Sequence, residues 1–78
     1  MYLKDAVAIR IQELCSERSI TIHELSLLAD VSYSTLYNAA TRKTTAIRMH
    51  TIECVCDGLG ISIAEFFHSD CFSQQLDL

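Results

Sequence analysis

Between Val31 and Ile52 the chain has no Asp or Glu, but it has Arg42, Lys43 and Arg48. Directly ahead of those cations runs Ser32-Tyr33-Ser34-Thr35-Leu36-Tyr37-Asn38-Ala39-Ala40-Thr41. At helical spacing, Leu36 and Ala39 or Ala40 take one side, with Val31 at its edge. Tyr33, Ser34, Tyr37, Asn38 and Thr41 take the other. That outer side holds hydroxyls, an amide and two phenol rings, and no charge. A helix that merely faced water would carry Glu and Lys. Groups of this kind bind rather than break bonds. Asn is bidentate to adenine, Ser and Thr donate or accept, and aromatic or Thr carbon touches a thymine methyl. Lys and Arg placed just behind suit phosphates.

The charge distribution supports the same chemistry. The formal charge of the 78 residues is −4, yet Val31 to Ile52 carries +3. The remainder sets Lys4, Arg10 and Arg18 against all ten acids. A basic face on an acidic body is what local contact with phosphate requires.

Catalytic patterns are missing: the sequence has no GxSxG, no P-loop glycines and no HExxH. His23, His50 and His68 fall in three different elements and are expected at the surface. Cys15 and Cys56 fall on apolar helix faces, where free Cys packs as a small hydrophobe. Cys54 and Cys56 point about 200° apart around a helix, which suits neither a disulfide nor a metal grip. No CxxC pair is present, so no metal and no cofactor is expected.

These side chains must be positioned by a small body. Seventy-eight residues make one domain, and half of them are hydrophobic. There is no Pro and only Gly58 and Gly60, which argues against disordered, collagen-like and turn-rich β classes. No apolar run approaches the roughly 18 residues of a membrane span. No basic segment followed by an apolar stretch opens the chain, so a cytoplasmic location is expected.

The periodicity predicts an all-α fold of five helices. The first runs about Tyr2 to Arg18, with Leu3, Val7, Ile11 and Leu14 as its apolar stripe. The second opens with a capping box, Thr21 as N-cap and Glu24 three residues on. It runs to about Ala29 and should bury Leu25, Leu28 and Ala29, ending at Asp30, a residue that tolerates a left-handed turn. The third starts after the N-cap Ser32 and reaches about Thr41. The fourth spans Met49 to Leu59, with Ile52, Val55, Cys56 and Leu59 inward, and ends at Gly58 or Gly60. Ser62 and Glu65 cap a short fifth helix through Phe66 and Phe67. Residues 1–68 then form the domain, and 69–78 a tail that is frayed or docked on a partner. No repeat, linker or low-complexity tract interrupts them.

Two short helices joined by a three-residue turn, with a polar second helix, make a helix-turn-helix, whose second helix enters the major groove. The sequence resembles the Cro/C1-type helix-turn-helix family, also called the XRE family, of the lambda-repressor-like fold. The resemblance covers nearly all of residues 3–68. It rests on Arg10-Ile11-Gln12-Glu13-Leu14, Ile20-Thr21-Ile22-His23-Glu24-Leu25, Val31-Ser32-Tyr33-Ser34-Thr35-Leu36-Tyr37-Asn38, and Thr51-Ile52 through Cys56-Asp57-Gly58-Leu59-Gly60-Ile61-Ser62. It implies a five-helix, usually dimeric domain that binds operator DNA as a regulator. Carried over by position, Tyr33, Ser34 and Asn38 fall at base-reading positions, with Tyr37 beside them. Thr41, Lys43, Thr44 and Arg48 fall at phosphate-contacting positions, Arg42 accompanies them, and Thr21 caps the second helix near the backbone. The chain departs from the family pattern at Ile22 (usually Gln), Asp30 and Arg42 (usually Gly), Ala40 (usually acidic, facing Arg10) and Ile47 (usually Pro).

The expected function is thus a sequence-specific, DNA-binding transcriptional regulator with double-stranded DNA as partner. It is expected to act as a homodimer with no small-molecule substrate and no membrane contact. The dimer surface would use Phe66 or Phe67 with Phe72, Leu76 and Leu78, unless both phenylalanines are core. The second reading is a protein-interaction module, antitoxin-like or adaptor, that reuses the fold. Overall acidity, Ile22, the apolar tail and an exposed Leu27 would favour it. An enzyme or metal sensor is the third reading, and a metal sensor requires at least three Cys or His groups to converge.

Overall fold

A computed structural model describes residues 2–41, 43 and 46–73. Five α-helices follow one another: α1 Leu3–Arg18, α2 Ile22–Ala29, α3 Tyr33–Ala40, α4 Met49–Leu59 and α5 Ile63–Phe67. A 3₁₀ turn, Asp70–Phe72, closes the described chain. The all-α, five-helix architecture is the one the periodicity predicts.

One three-residue device makes three of the junctions. Ser19-Ile20-Thr21, Asp30-Val31-Ser32 and Gly60-Ile61-Ser62 each begin with a residue in the left-handed region, at φ 55°, 55° and 68°. The middle residue donates its N–H five residues back, Ile20 to Cys15, Val31 to Ser26 and Ile61 to Cys56, at 3.0–3.1 Å. This is the Schellman closure, which satisfies carbonyls that a helix end leaves open. Ile20, Val31 and Ile61 also pack against the core, as that motif favours. The third residue is the next N-cap: Thr21, Ser32 and Ser62 accept from Glu24, Thr35 and Glu65 N–H. Glu24 and Glu65 return the bond to the N-cap N–H, completing both capping boxes. Local sequence therefore stops and restarts three helices without a long loop.

The core gathers the inward stripes. Val7, Ile11, Leu25, Leu36, Val55 and Phe66 are each at most 1% exposed. Two expectations need correction. Leu3 is 40% exposed, because the buried stripe of α1 begins a turn later, at Ala6 and Val7. Leu28 is 54% exposed. The inward stripe of α2 is Ile22, Leu25, Ser26 and Ala29, which leaves Leu28 on its flank. There, α4 approaches with its backbone: a Cβ on Gly58 would lie 2.6–2.8 Å from the Leu28 carbonyl and the Ala29 nitrogen.

Arg10 is buried in the body without the acidic partner at residue 40. Its Nε donates to the Phe66 carbonyl at 2.6 Å and its Nη2 to the Glu65 carbonyl at 2.8 Å. Nη1 pairs with Glu13 at 3.3 Å and Glu17 at 3.8 Å. The guanidinium thus fastens the end of α5 to α1. Gln12 makes the tie to α3 instead, donating to the Ala40 carbonyl at 3.2 Å.

Phe66 lies in this core at 0% exposure and offers no surface to a second chain, contrary to one of the expected dimer contacts. Phe67 is half-buried, its ring 5.1 Å from Phe66 and 4.9 Å from Phe72. Residues 69–73 dock on the chain's own α1: Cys71 is buried with its thiol 3.5 Å from the Ala6 carbonyl, and Ser69 donates to Glu13 at 2.7 Å. Leu76 and Leu78 lie outside the described residues.

Candidate nucleic-acid interface

Helix α3 turns Leu36, Ala39 and Ala40 into the core, which forces its other positions outward. Ser34 and Asn38 are exposed, Tyr33 is 46% exposed, and Tyr37 and Thr41 are half-buried. Two stripes result. Tyr33 and Tyr37 share one, and Ser34 and Asn38 share the other, each pair one turn apart.

The rings form a row. His23, in the first turn of α2, lies 5.8 Å from the Tyr33 ring centroid. Tyr33 lies 5.6 Å from Tyr37, and Lys43 Nζ sits 5.1 Å over the Tyr37 ring. Behind α3 the chain folds back, with Lys43 N–H donating to the Asn38 carbonyl at 3.0 Å. That bond is what brings the ammonium over the ring, where the π face attracts it. The row thus links both helices of the motif to the segment that follows.

Lys43 and Arg48 are exposed. Among the described residues neither Lys43 nor Arg48 has an ion-pair partner, whereas Lys4 and Arg10 are paired with carboxylates. Arg48 is the N-cap residue of α4, and with Asn38 it lines one hollow of about 180 Å³ that also touches Thr35 and Thr51. The candidate base-reading amide and a candidate phosphate-binding guanidinium therefore share one recess. Arg42 and Thr44 lie outside the described residues.

The two threonines differ in what they offer. Thr21 Oγ1 accepts from the Glu24 N–H, which leaves its own proton available to an acceptor such as phosphate. The N–H groups of Ile22 and His23, in the first turn of α2, have no intrahelical acceptor and point the same positive end outward. Thr41 is already committed: its hydroxyl donates to the Tyr37 carbonyl at 2.6 Å, so its proton is not free for a phosphate oxygen. The structure thus brings Asn38 and Arg48 together between α3 and α4, sets Tyr33, Tyr37 and Lys43 in a row that reaches His23 of α2, leaves Ser34 exposed on α3, and places Thr21 at the start of α2.

Sequence reasoning missed two contacts. His23 was expected only as a surface residue, and its ring closes the aromatic row. A clue was available: in a helix-turn-helix, the first turn of α2 lies near the first turn of α3. The second is His50 Nε2, 3.6 Å from the half-buried Cys54 thiol one turn along α4. The other thiols are buried. Burial holds the Cys15 thiol above its ordinary range, and it raises Cys56 with added push from the Asp57, Glu53 and Glu65 carboxylates. Both stay protonated at neutral pH and pack as hydrophobes. Among the described residues no group of three His, Cys, Asp or Glu side chains is placed to hold a metal. Nor, among these residues, is any helix long and apolar enough to cross a membrane.

A capped α2, a three-residue turn and an α3 with an uncharged polar face, all packed on a small helical body, define a helix-turn-helix DNA-binding domain. The chain belongs to the Cro/C1-type HTH DNA-binding domain family, which it matches over residues 10–69. No curated protein and no solved structure matches it.

Proposed function

We propose that the protein is a sequence-specific transcriptional regulator that reads operator DNA with α3 in the major groove. The observation that carries this reading is the shared recess of Asn38 and Arg48 beside an acid-free, outward α3 face. Asn38, Ser34, Tyr33 and Tyr37 read base edges. Lys43 and Arg48, with Arg42 and Thr44, hold phosphates, and Thr21 with the first N–H groups of α2 grips the backbone ahead of them. Thr41 serves by fixing the end of α3. The protein acts as a homodimer whose recognition helices sit about 34 Å apart, matching half-sites one DNA turn apart. Phe66 is spent in the core, and the half-buried Phe67 and Phe72, which pack on each other, remain the described residues of the expected dimer surface.

A contrast of two variants tests the assignment. Asn38→Ala costs about 1–3 kcal/mol on the preferred sequence and flattens preference at one base pair. Lys43→Ala weakens binding to every duplex alike and reduces the salt slope by about 1. An Asn38→Ala protein that binds with unchanged sequence preference shows that α3 is not the reading face.

One observation favours a second reading. Leu27 and Leu28, adjacent on α2, are 69% and 54% exposed, an apolar pair suited to a protein partner. On that reading the fold serves as an interaction module, and duplex DNA does not bind.

A further inference from the structure

We infer that the recognition face selects A·T-rich half-sites, and that the rings of Tyr33 and Tyr37 read thymine 5-methyl groups. This deepens the reading of α3 as the element in the major groove and rests on it.

The outward positions of α3 hold Tyr33, Ser34, Thr35, Tyr37 and Asn38. None is Arg or Lys, so α3 has no bidentate donor for guanine O6 and N7. None is Asp or Glu, so it has no acceptor selective for the cytosine amino group. The described cations of the interface are not on α3: Lys43 follows it, with its ammonium over the Tyr37 ring, and Arg48 stands at the head of α4.

What remains selects A·T pairs. The Asn38 amide matches the adenine N6 donor and N7 acceptor. Ser34 donates or accepts and discriminates little. The carbon faces of the two phenol rings are apolar, and the thymine methyl is the apolar group that unmodified base pairs present in the major groove.

The rings are also held in place. Tyr33 is braced by the His23 ring at 5.8 Å, and Tyr37 lies between Tyr33 at 5.6 Å and the Lys43 ammonium at 5.1 Å. A side chain already fixed before binding loses little rotamer freedom on contact, so more of the methyl's transfer free energy appears as affinity. Tyr33 remains 46% exposed, which leaves surface for the methyl to cover.

The test uses the whole protein and a randomised duplex pool. Repeated binding and amplification should enrich duplexes with A·T-rich half-sites. The best of these is then made with deoxyuridine in place of thymidine, one position at a time. Uracil keeps every hydrogen-bonding group and lacks only the methyl. At one or two positions per half-site, binding should weaken about fourfold, the value of one buried methylene. That penalty should vanish in Tyr33→Ala or Tyr37→Ala and persist in Tyr37→Phe, which keeps the ring. Tyr33 is the more exposed of the two, so its variant reports even where Tyr37→Ala folds poorly. An enriched G·C-rich site, or an enriched A·T-rich site bound equally well with uracil throughout, overturns the inference alone. A pool from which nothing is enriched overturns the DNA-reading conclusion and the inference with it.

Discussion

Arg10→Ala destabilises the fold by about 2–4 kcal/mol, because two backbone carbonyls lose a charged donor at once. The Glu65 and Phe66 carbonyls end α5, and Arg10 is the side chain that holds both, at 2.8 and 2.6 Å. Losing it also leaves Glu13 and Glu17 without their cation. Arg10 lines an open cleft with Glu13, Glu17 and His68, so water reaches part of the vacated site and keeps the cost below that of a sealed one. In a domain this small, the loss corresponds to a fall in Tm of roughly 10–25 °C. Arg10→Lys recovers only part of it, since an ammonium is a point charge without the guanidinium fork. Thermal unfolding followed by circular dichroism checks this. An Arg10→Ala protein that melts within a few degrees of the parent would show that α5 is held by Phe66 alone.

Gly58→Ala lowers stability by about 1–2 kcal/mol, although alanine is the better helix former by about 1 kcal/mol. The steric term wins because the new Cβ meets the backbone of α2, not the flexible end of a side chain. Its closest contact would be 2.6 Å from the Leu28 carbonyl oxygen. The helices must separate to admit it, and α2 carries the turn that aims α3. The same variant should therefore lose DNA affinity at temperatures where it is still folded. Thermal melts and binding at 10 °C report the two effects separately. A raised Tm with unchanged affinity would mean that helix propensity decides the outcome and that the α2–α4 contact is loose.

Where the sequence was legible, the signal was local. Thr21 with Glu24, Ser32 alone, and Ser62 with Glu65 mark helix starts, and the structure has all three caps. Asp30 takes the left-handed turn that the residue type allows. The α4 stripe of Ile52, Val55, Cys56 and Leu59 is buried as its spacing predicts. The misreadings come from contacts with no local period. The grip of Arg10 on α5 spans 56 positions. Leu28 is left exposed because the inward stripe of α2 is Leu25, Ser26 and Ala29, a choice set by how the helices pack and not by residue type. For the candidate site, the outward stripe of α3 follows from periodicity. The side chains that lock it do not: the His23 ring against Tyr33, the Lys43 ammonium over Tyr37, and the Thr41 hydroxyl spent on a carbonyl.

The most direct test is the salt dependence of binding to random duplex DNA and to DNA from the protein's own promoter. Binding to both is expected, tighter to the promoter, with log affinity falling against log salt by about 0.9 for each phosphate neutralised. Absence of binding to either duplex at low salt contradicts that expectation, and leaves the exposed Leu27–Leu28 pair as the surface through which the protein acts.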